Sequence, residues 1–281
     1  MAVHIVTDST ADIPRELAET LGITVVPLTV FFGNEAYLDG VELESAEFYR
    51  KLQASKELPR TSQPAPASFQ ETYKRLIEEG ADAILSVHLS SNLSGTYQSA
   101  CTARDSLPDE LKKVPIDVID SRSISMAMGM SIMHAAEDAR QGQEIEEIKA
   151  HMLDRLARTH ILAVLDTLEY VRRGGRIGTA SAMLGNMLSF KPIISVKDGV
   201  VVPVERPRTR NKAYERLAQL MRDSGKVEEI YLAESTGDVG EQLTQALKAV
   251  YSGAIPRYKL GAALGTHTGP GTAAITYITA S

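Results

Sequence analysis

The feature that most constrains the fold is an alternation of short apolar runs with helical patterns over roughly the first 160 residues. Four runs rich in β-branched and aliphatic residues predict strands: VHIVTD at 3–8, ITVVPLTVFF at 23–32, DAILSVHLS at 82–90 and PIDVID at 115–120. Because these strands are continuously apolar, both faces of their sheet should be covered. This is typical of a largely parallel, three-layer α/β domain.

Helical patterns fill the segments between these strands. DIPRELAETLG predicts a helix with Asp12 as its N-cap and Pro14 in the first turn, and APASFQETYKRLIEEG predicts a helix that stops at Gly80. After the fourth strand, residues 121–159 predict two long helices that break near Gly142.

The second half of the chain predicts an α+β domain with a mixed sheet. It begins with a strand ILAVLDTL, a short helix or turn EYVRRGGRIG and a weak helix TASAMLGNMLSF. A hairpin KPIISVKDGVVVPVER then turns at Asp198-Gly199. The remaining elements are a helix over 209–224, a strand EEIYLAES, a helix over 239–251 and the apolar run YKLGAALG. A length of 281 residues favours two domains. We predict an N-terminal domain over 1–158 and a C-terminal domain over 159–281.

Composition excludes several classes of protein. The net charge of −6 argues against non-specific binding to nucleic acid and against broad attraction to anionic membranes. The single cysteine, Cys101, excludes an intrachain disulfide framework. No stretch approaches the roughly 20 apolar residues of a membrane span, and the first residues do not read as a signal peptide. We expect a cytoplasmic protein without stable membrane insertion.

Two hydroxyl-bearing segments lie where a sheet of this kind binds ligands. The strand at 82–90 leads into SNLSGT and then into a helix that begins near Thr96, so Ser94 and Gly95 stand at a helix N-terminus beyond the carboxyl end of a strand. RTSQPAP at 60–66 adds Thr61 and Ser62 before the next helix. Such a site suits a carboxylate, a phosphate or an acyl phosphate, although the same residues also suit plain helix caps and turns.

The segment GTHTGPG at 265–271 places a histidine among glycines and threonines. We interpret it as a flexible loop after a strand, in which His267 and Thr268 could contact an anionic head group. No nucleotide-binding or nucleophile-elbow motif is present, and the six histidines lack metal-ligand spacing. We therefore predict no metal, no cofactor and no catalytic residue.

Methionines and arginines are unevenly distributed. Met126 and Met130 in SMAMGMSIM, with Met183 and Met187 in AMLGNML, could line a flexible acyl chain, although ordinary core packing is the commoner explanation of such methionines. RRGGRI and ERPRTRNK concentrate positive charge around Arg176 and Arg206 in an otherwise acidic chain. That charge could dock an acidic partner or form a solvated face.

Six segments, taken in order, resemble the signature segments of the DegV family over about residues 3–279. They are VTDSTADIP at the start, followed by TSQPAP, LSSNLSGTYQSA, LEYVRRGGRIG, VVPVERPRTRNKA and GTHTGPG. The resemblance implies a two-domain α/β fold with a long-chain fatty acid in a tunnel between the domains. It also implies that Thr61, Ser94, His267 and Thr268 bind the carboxylate. For family members that work with a kinase, the resemblance implies a separate ATP-binding subunit that phosphorylates the bound fatty acid to acyl phosphate for phospholipid synthesis. Arg176 and Arg206 fall in the segments that the resemblance associates with docking of that subunit.

Three function classes remain open. The favoured class is a lipid carrier, not itself an enzyme, whose ligand is a fatty acid such as palmitate. The second is a phosphotransferase or hydrolase that acts on a small anion through Ser94 or His267. The third is an interaction protein whose bound lipid regulates docking through the basic segments.

Overall fold

The computed structural model describes residues 2–184 and 190–280. Numbered in chain order, its strands are β1 (Val3–Asp8), β2 (Ile23–Val26), β3 (Thr29–Phe32), β4 (Glu35–Leu38), β5 (Arg60–Ser62), β6 (Ala83–His88), β7 (Ile116–Asp120), β8 (Thr159–Val164), β9 (Ile193–Lys197), β10 (Val200–Glu205), β11 (Val227–Glu234), β12 (Arg257–Lys259) and β13 (Ala273–Thr279).

Ten α-helices lie within the same described ranges. They are α1 (Arg15–Leu21), α2 (Ser45–Ala54), α3 (Pro66–Glu78), α4 (Thr96–Asp105), α5 (Met126–Arg140), α6 (Ile145–Arg158), α7 (Glu169–Arg173), α8 (Arg210–Asp223), α9 (Gly237–Lys248) and α10 (Ala262–Thr268). None of these helices is long and apolar enough to span a membrane.

The N-terminal sheet is parallel and has helices on both faces, as predicted. Its strand order is β2-β1-β6-β7. Successive residues of a strand point to opposite faces, and accordingly Ile5 belongs to the core that contains the α5 methionines, whereas Val6 packs with Phe69 and Tyr73 of α3. The continuous apolar runs are thus explained by two cores on the two faces of one sheet.

The second sheet is mixed, also as predicted. It has the order β10-β9-β8-β13-β11-β12, in which only the β11–β12 pair is parallel among the described strands. Helices α8 and α9 cover one face, where Leu217 and Leu243 pack against Ile275. Helix α6 ends at Arg158 and β8 begins at Thr159; the division into domains at this point stays a prediction.

A third, antiparallel sheet was not predicted. It consists of β4-β3-β5 and packs through Val30 and Leu28 against α2 and α10. The single strand predicted over 23–32 is therefore wrong, because it breaks at Pro27 into β2 and β3, which belong to different sheets. Proline has no N–H for a sheet ladder, so a break there is physically reasonable.

Three local predictions also need correction. Asp12 does not cap α1, whose N-cap is Pro14; Asp12 has a left-handed backbone and is buried. The segment predicted as a strand and glycine loop contains helix α10, so His267 lies in a helical turn. The described part of TASAMLGNMLSF, which was predicted as a weak helix, contains the end of a 3₁₀ helix over Gly178–Met183, and residues 185–189 of that segment lie outside the described residues.

Candidate functional site

A cavity lies where the parallel sheet, the mixed sheet and α10 meet. The volume open to the centre of a water-sized sphere is about 110 Å³, many times the roughly 10–15 Å³ that holds one water molecule. Its lining is contributed by both halves of the chain, which supports a ligand position between them.

The cavity is mostly apolar. Its aliphatic lining comes from β8, β9, β10 and β13, from α7 and α10, and from residues just before β3, just after β6, and just before α4, α5 and α10: Leu28, Leu89, Leu93, Ile124, Ile161, Ala163, Val171, Ile194, Val196, Val201, Leu260, Ala263, Leu264 and Ala274. The polar lining residues are Thr10, Thr61, Ser94, Ser125, Arg176, Ser195, His267, Thr268 and Thr272. A long apolar wall with a few polar groups suits an amphipathic ligand better than a small polar one.

The best-defined polar contact joins the two halves of the chain. Thr61 Oγ1 lies 2.8 Å from His267 Nε2. Thr61 is paired across β3–β5 with the buried Val30, and directly paired residues share a face of the sheet. The Thr61 hydroxyl therefore points inward, towards α10 and the cavity.

His267 is held in its neutral form. Burial, with a smaller contribution from the nearby Arg176 charge, lowers the pKa of His267 to about 4. Its Nδ1 is buried without a hydrogen-bond partner in the described part of the chain. A proton on Nε2 then donates to Thr61 Oγ1, because a proton on Nδ1 would be an unpaired buried donor. In this arrangement the Thr61 hydroxyl hydrogen is available to a ligand.

Ser94 and Thr268 face the same cavity. Ser94 Oγ lies 2.9 Å from Thr96 Oγ1 at the start of α4, next to the Thr96 backbone N–H. Thr268 Oγ1 donates to the Leu264 carbonyl within α10 at 3.0 Å. Both residues line the cavity as the sequence predicted; a role in carboxylate binding stays a proposal.

Arg176 has a different position from the one its docking assignment suggested. It is partly buried and lines the cavity. Its Nε donates to the Leu93 carbonyl at 3.1 Å and its Nη1 to the Gly174 carbonyl at 2.7 Å. These bonds hold a permanent positive charge beside the Thr61–His267 pair, where an anionic group would be attracted.

Arg206, by contrast, is exposed. It donates to the Ala182 carbonyl at 2.6 Å, and its guanidinium lies 5.8 Å from the centre of the Phe190 ring. It does not line the cavity, so a contact with a partner is its remaining predicted role.

Two residues predicted to bind the head group, Ser62 and Gly95, do not line the cavity. Ser62 is exposed, because it follows Thr61 in β5 and successive strand residues face opposite sides of the sheet. Gly95 is the N-cap of α4 and packs against Gln63, whose Nε2 would lie 2.7 Å from a Cβ at position 95. The close approach at Gly95 therefore accommodates a side chain of the protein.

The methionine prediction also needs correction. Met126, Met130 and Met183 are buried in the core beside the cavity and are not among its lining residues. They fill the layer under α5 and beside Ala180, which is the ordinary core interpretation. Met187 lies outside the described residues.

Sequence reasoning missed the wall of the cavity. Ile161, Ile194 and Val201 come from adjacent strands of the mixed sheet, and Thr10 and Ser125 come from loops beyond the parallel sheet. The only signal in the sequence was the alternation within these strands, which does not say what a face packs against.

Among residues 2–184 and 190–280, no group of three or more His, Cys, Asp or Glu side chains could hold a metal ion.

Sequence comparisons match the whole chain. A family model described as an uncharacterised protein of the DegV family matches residues 2–280. A DegV domain-containing protein of Streptomyces coelicolor is 39% identical over 96% of this chain and 95% of its own length. Another, of Halalkalibacterium halodurans, is 37% identical over 98% of both chains.

Solved structures show the same fold. A DegV family protein from Thermus thermophilus, described for its fatty acid binding, superposes with a TM-score of 0.91 at 33% identity and full coverage of both chains. DegV of Bacillus subtilis, described as a fatty acid binding protein, has a TM-score of 0.88 at 31% identity, again with full coverage. A stearic acid-binding protein from Eubacterium ventriosum has a TM-score of 0.91 at 25% identity, with 99% of this chain and 98% of that chain covered.

Proposed function

This chain belongs to the DegV family, and from that premise we propose that it binds one long-chain fatty acid in the cavity and presents its carboxylate at the Thr61–His267 pair. The observation that carries the proposal is the composition of the cavity. Its aliphatic wall leads to a cluster of Thr61, Ser94, His267 and Arg176. An acyl chain with an anionic end has the matching chemistry.

The polar cluster has complementary parts for a carboxylate. Neutral His267 orients the Thr61 hydroxyl, Ser94 supplies a second hydroxyl, and Arg176 supplies the positive charge. An ionised carboxylate only accepts hydrogen bonds, and bonds to such a charged acceptor are stronger than neutral ones. In this proposal His267 acts by orienting Thr61, since its low pKa leaves it uncharged at neutral pH.

The aliphatic wall accounts for affinity. Burial of methylene groups contributes about 0.8 kcal/mol each, so a chain of roughly 16 carbons has a gross gain on the order of 10 kcal/mol before ordering costs. A small polar anion would leave this wall without a partner. The wall therefore favours a lipid carrier over a phosphotransferase or hydrolase of small anions.

We further propose that the carrier delivers its lipid to a separate ATP-binding kinase subunit that forms an acyl phosphate. Exposed Arg206 is the candidate docking residue in this proposal, whereas Arg176, which lines the cavity, would contact the head group. An Arg206→Glu variant should bind fatty acid as the unchanged protein does but lose most of its binding to a recombinant fatty acid kinase subunit in a pull-down. Unchanged capture of the kinase subunit would show that the docking assignment is wrong.

Native mass spectrometry of the purified protein, followed by lipid extraction, tests the carrier proposal directly. We expect a mass increment that corresponds to one fatty acid per chain, and the extract then identifies the chain length. A protein that carries no lipid and takes up neither palmitate nor oleate would overturn the proposal and favour the small-anion enzyme.

A further inference from the structure

Helix α10 carries His267 and Thr268 in its last turn but is only seven residues long. Helices this short do not hold their own position, because most helical stability in proteins comes from tertiary contacts. The contacts that fix α10 therefore decide where the His267 ring lies.

Two buried aspartates from the other half of the chain bind the start of α10. The Gly261 N–H donates to Asp12 Oδ1 and the Ala262 N–H donates to Asp39 Oδ1, each at 2.9 Å. Both aspartates are buried, and neither lines the cavity. They contact the helix five and six residues before His267, about one and a half turns away.

Both aspartates are themselves held in place. Asp12 Oδ2 lies 2.5 Å from Ser125 Oγ, and the Asp39 N–H donates to the Leu28 carbonyl at 2.9 Å. Burial raises the pKa of Asp12 to about 8 and that of Asp39 to about 6. Asp12 accepts from the Gly261 N–H at Oδ1 and from the Ser125 hydroxyl at Oδ2.

The middle of α10 leaves little room for adjustment. A Cβ at Gly265 would lie 2.8 Å from Tyr49 Oη and 2.5 Å from a ring carbon of Phe48. Helix α10 is therefore in close contact with α2 at Gly265, and its first two N–H groups are bound by the two aspartates.

We propose that Asp12 and Asp39 are positioning residues for the head-group site: they hold α10 so that His267 Nε2 reaches the Thr61 hydroxyl. This inference rests on the proposed fatty-acid function for its consequence in binding. The positioning itself can be measured in the lipid-free protein.

The test compares Asp39→Ala, Asp39→Asn and the control Asp138→Ala. Asparagine keeps an acceptor for the Ala262 N–H, whereas alanine removes it. Asp138 is also buried, but it pairs with Arg155 and His151 of α6, away from α10. The Asp138→Ala substitution should destabilise the fold without moving the His267 ring.

Two readouts are needed on each variant. The first is the titration of the His267 ring nitrogens by NMR in lipid-free protein, and the second is the dissociation constant for palmitate. For Asp39→Ala we expect the pKa of His267 to rise by about one pH unit or more towards its ordinary value. Palmitate affinity should fall about tenfold. Asp39→Asn and Asp138→Ala should match the unchanged protein in both readouts within about threefold and a few tenths of a pH unit.

An Asp39→Ala protein with unchanged His267 titration and unchanged affinity would overturn the inference. If that variant does not fold, a folded Asp39→Asn protein with a displaced His267 pKa would overturn it as well, because the acceptor is still present. If the unchanged protein binds no palmitate, the proposed function fails, whereas the NMR comparison still decides whether the aspartates position His267.

Discussion

At the residue scale, the site depends on how one side chain orients another. His267 lies 2.8 Å from Thr61 and is kept neutral by burial and by Arg176. A neutral donor orients the threonine hydroxyl without a charge of its own, so the positive charge near the ligand belongs to Arg176. This separation of roles can be tested one residue at a time.

Replacing Thr61 by valine keeps the shape of the side chain but removes the hydroxyl. We expect the dissociation constant for palmitate to rise about tenfold, because the carboxylate loses a buried donor. Isothermal titration with delipidated protein measures this change. The matched control is Ser62→Ala on the outer face of β5, which should stay within about twofold; equal losses in both variants would contradict the inward assignment of Thr61.

Position 174 must be a glycine because the His267 ring lies against its backbone. A Cβ at this position would overlap His267 Nδ1 and lie 3.2 Å from the Tyr170 carbonyl. Gly174→Ala should lower the free energy of unfolding by about 1–3 kcal/mol, as overpacking usually does, and should weaken palmitate binding. Gly237→Ala is the control, since its nearest contact would be Lys259 Nζ at 3.8 Å. A Gly174→Ala protein that melts and binds like this control would refute the prediction.

At the element scale, α10 and β5 bring the site together. Strand β5 presents Thr61 from the small antiparallel sheet, and α10 presents His267 from the other half of the chain. The start of α10 is bound by Asp12 and Asp39, whose pKa values are raised by burial. The element that carries the histidine is therefore linked to two titrating groups.

These two aspartates should make stability depend on pH. A carboxyl whose pKa is raised on folding stabilises the fold fully below its unfolded pKa of about 4. That contribution is lost as the pH rises through about 6 for Asp39 and about 8 for Asp12. The free energy of unfolding from urea titrations should therefore fall between pH 5 and pH 9.

An Asp12→Asn variant isolates the contribution of Asp12. Its amide keeps the geometry but cannot ionise, so at pH 9 it should be more stable than the unchanged protein by on the order of 4 kcal/mol, which is about 1.36 kcal/mol for each of about three pH units between pH 5 and the folded pKa. At pH 5 the two proteins should differ little. If the difference between them does not change with pH, the raised pKa of Asp12 is wrong.

At the scale of the whole molecule, the cavity is shared between the two halves. One core extends from Ile5 and Met126 in the first half to Leu165, Val171 and Ile194 in the second. A ligand between them contacts both halves. Binding should therefore stabilise the molecule as a unit.

Palmitate should raise the melting temperature of delipidated protein, by an amount that grows with the logarithm of the ratio of its free concentration to its dissociation constant. At a free concentration of about 100 times the dissociation constant, the added stability is about 2.7 kcal/mol, which corresponds to a rise of several degrees. Calorimetry should show a single transition that moves upward. Methyl palmitate, which lacks the carboxylate, should give a clearly smaller shift. An equal shift from the ester would show that the head-group cluster does not contribute.

The sequence alone determined the elements with strong local signals. Continuous apolar runs predicted the doubly covered parallel sheet, and Asp198-Gly199 predicted the β9–β10 hairpin, because periodicity and turn chemistry are local properties. The ordered motifs also identified the DegV family. The four residues for which that resemblance implied a role in carboxylate binding, Thr61, Ser94, His267 and Thr268, all line the cavity, and their binding role stays a prediction.

Only the tertiary structure decided which side chains face the ligand and which elements carry them. The sequence could not separate Thr61 from Ser62, show that the methionines fill a core, or place Arg176 in the cavity. Nor could it show that GTHTGPG begins inside a helix bound by Asp12 and Asp39. These features depend on contacts between residues far apart in the sequence: 83 positions between Leu93 and Arg176, 206 between Thr61 and His267, and 249 between Asp12 and Gly261. Local patterns carry no information about such contacts.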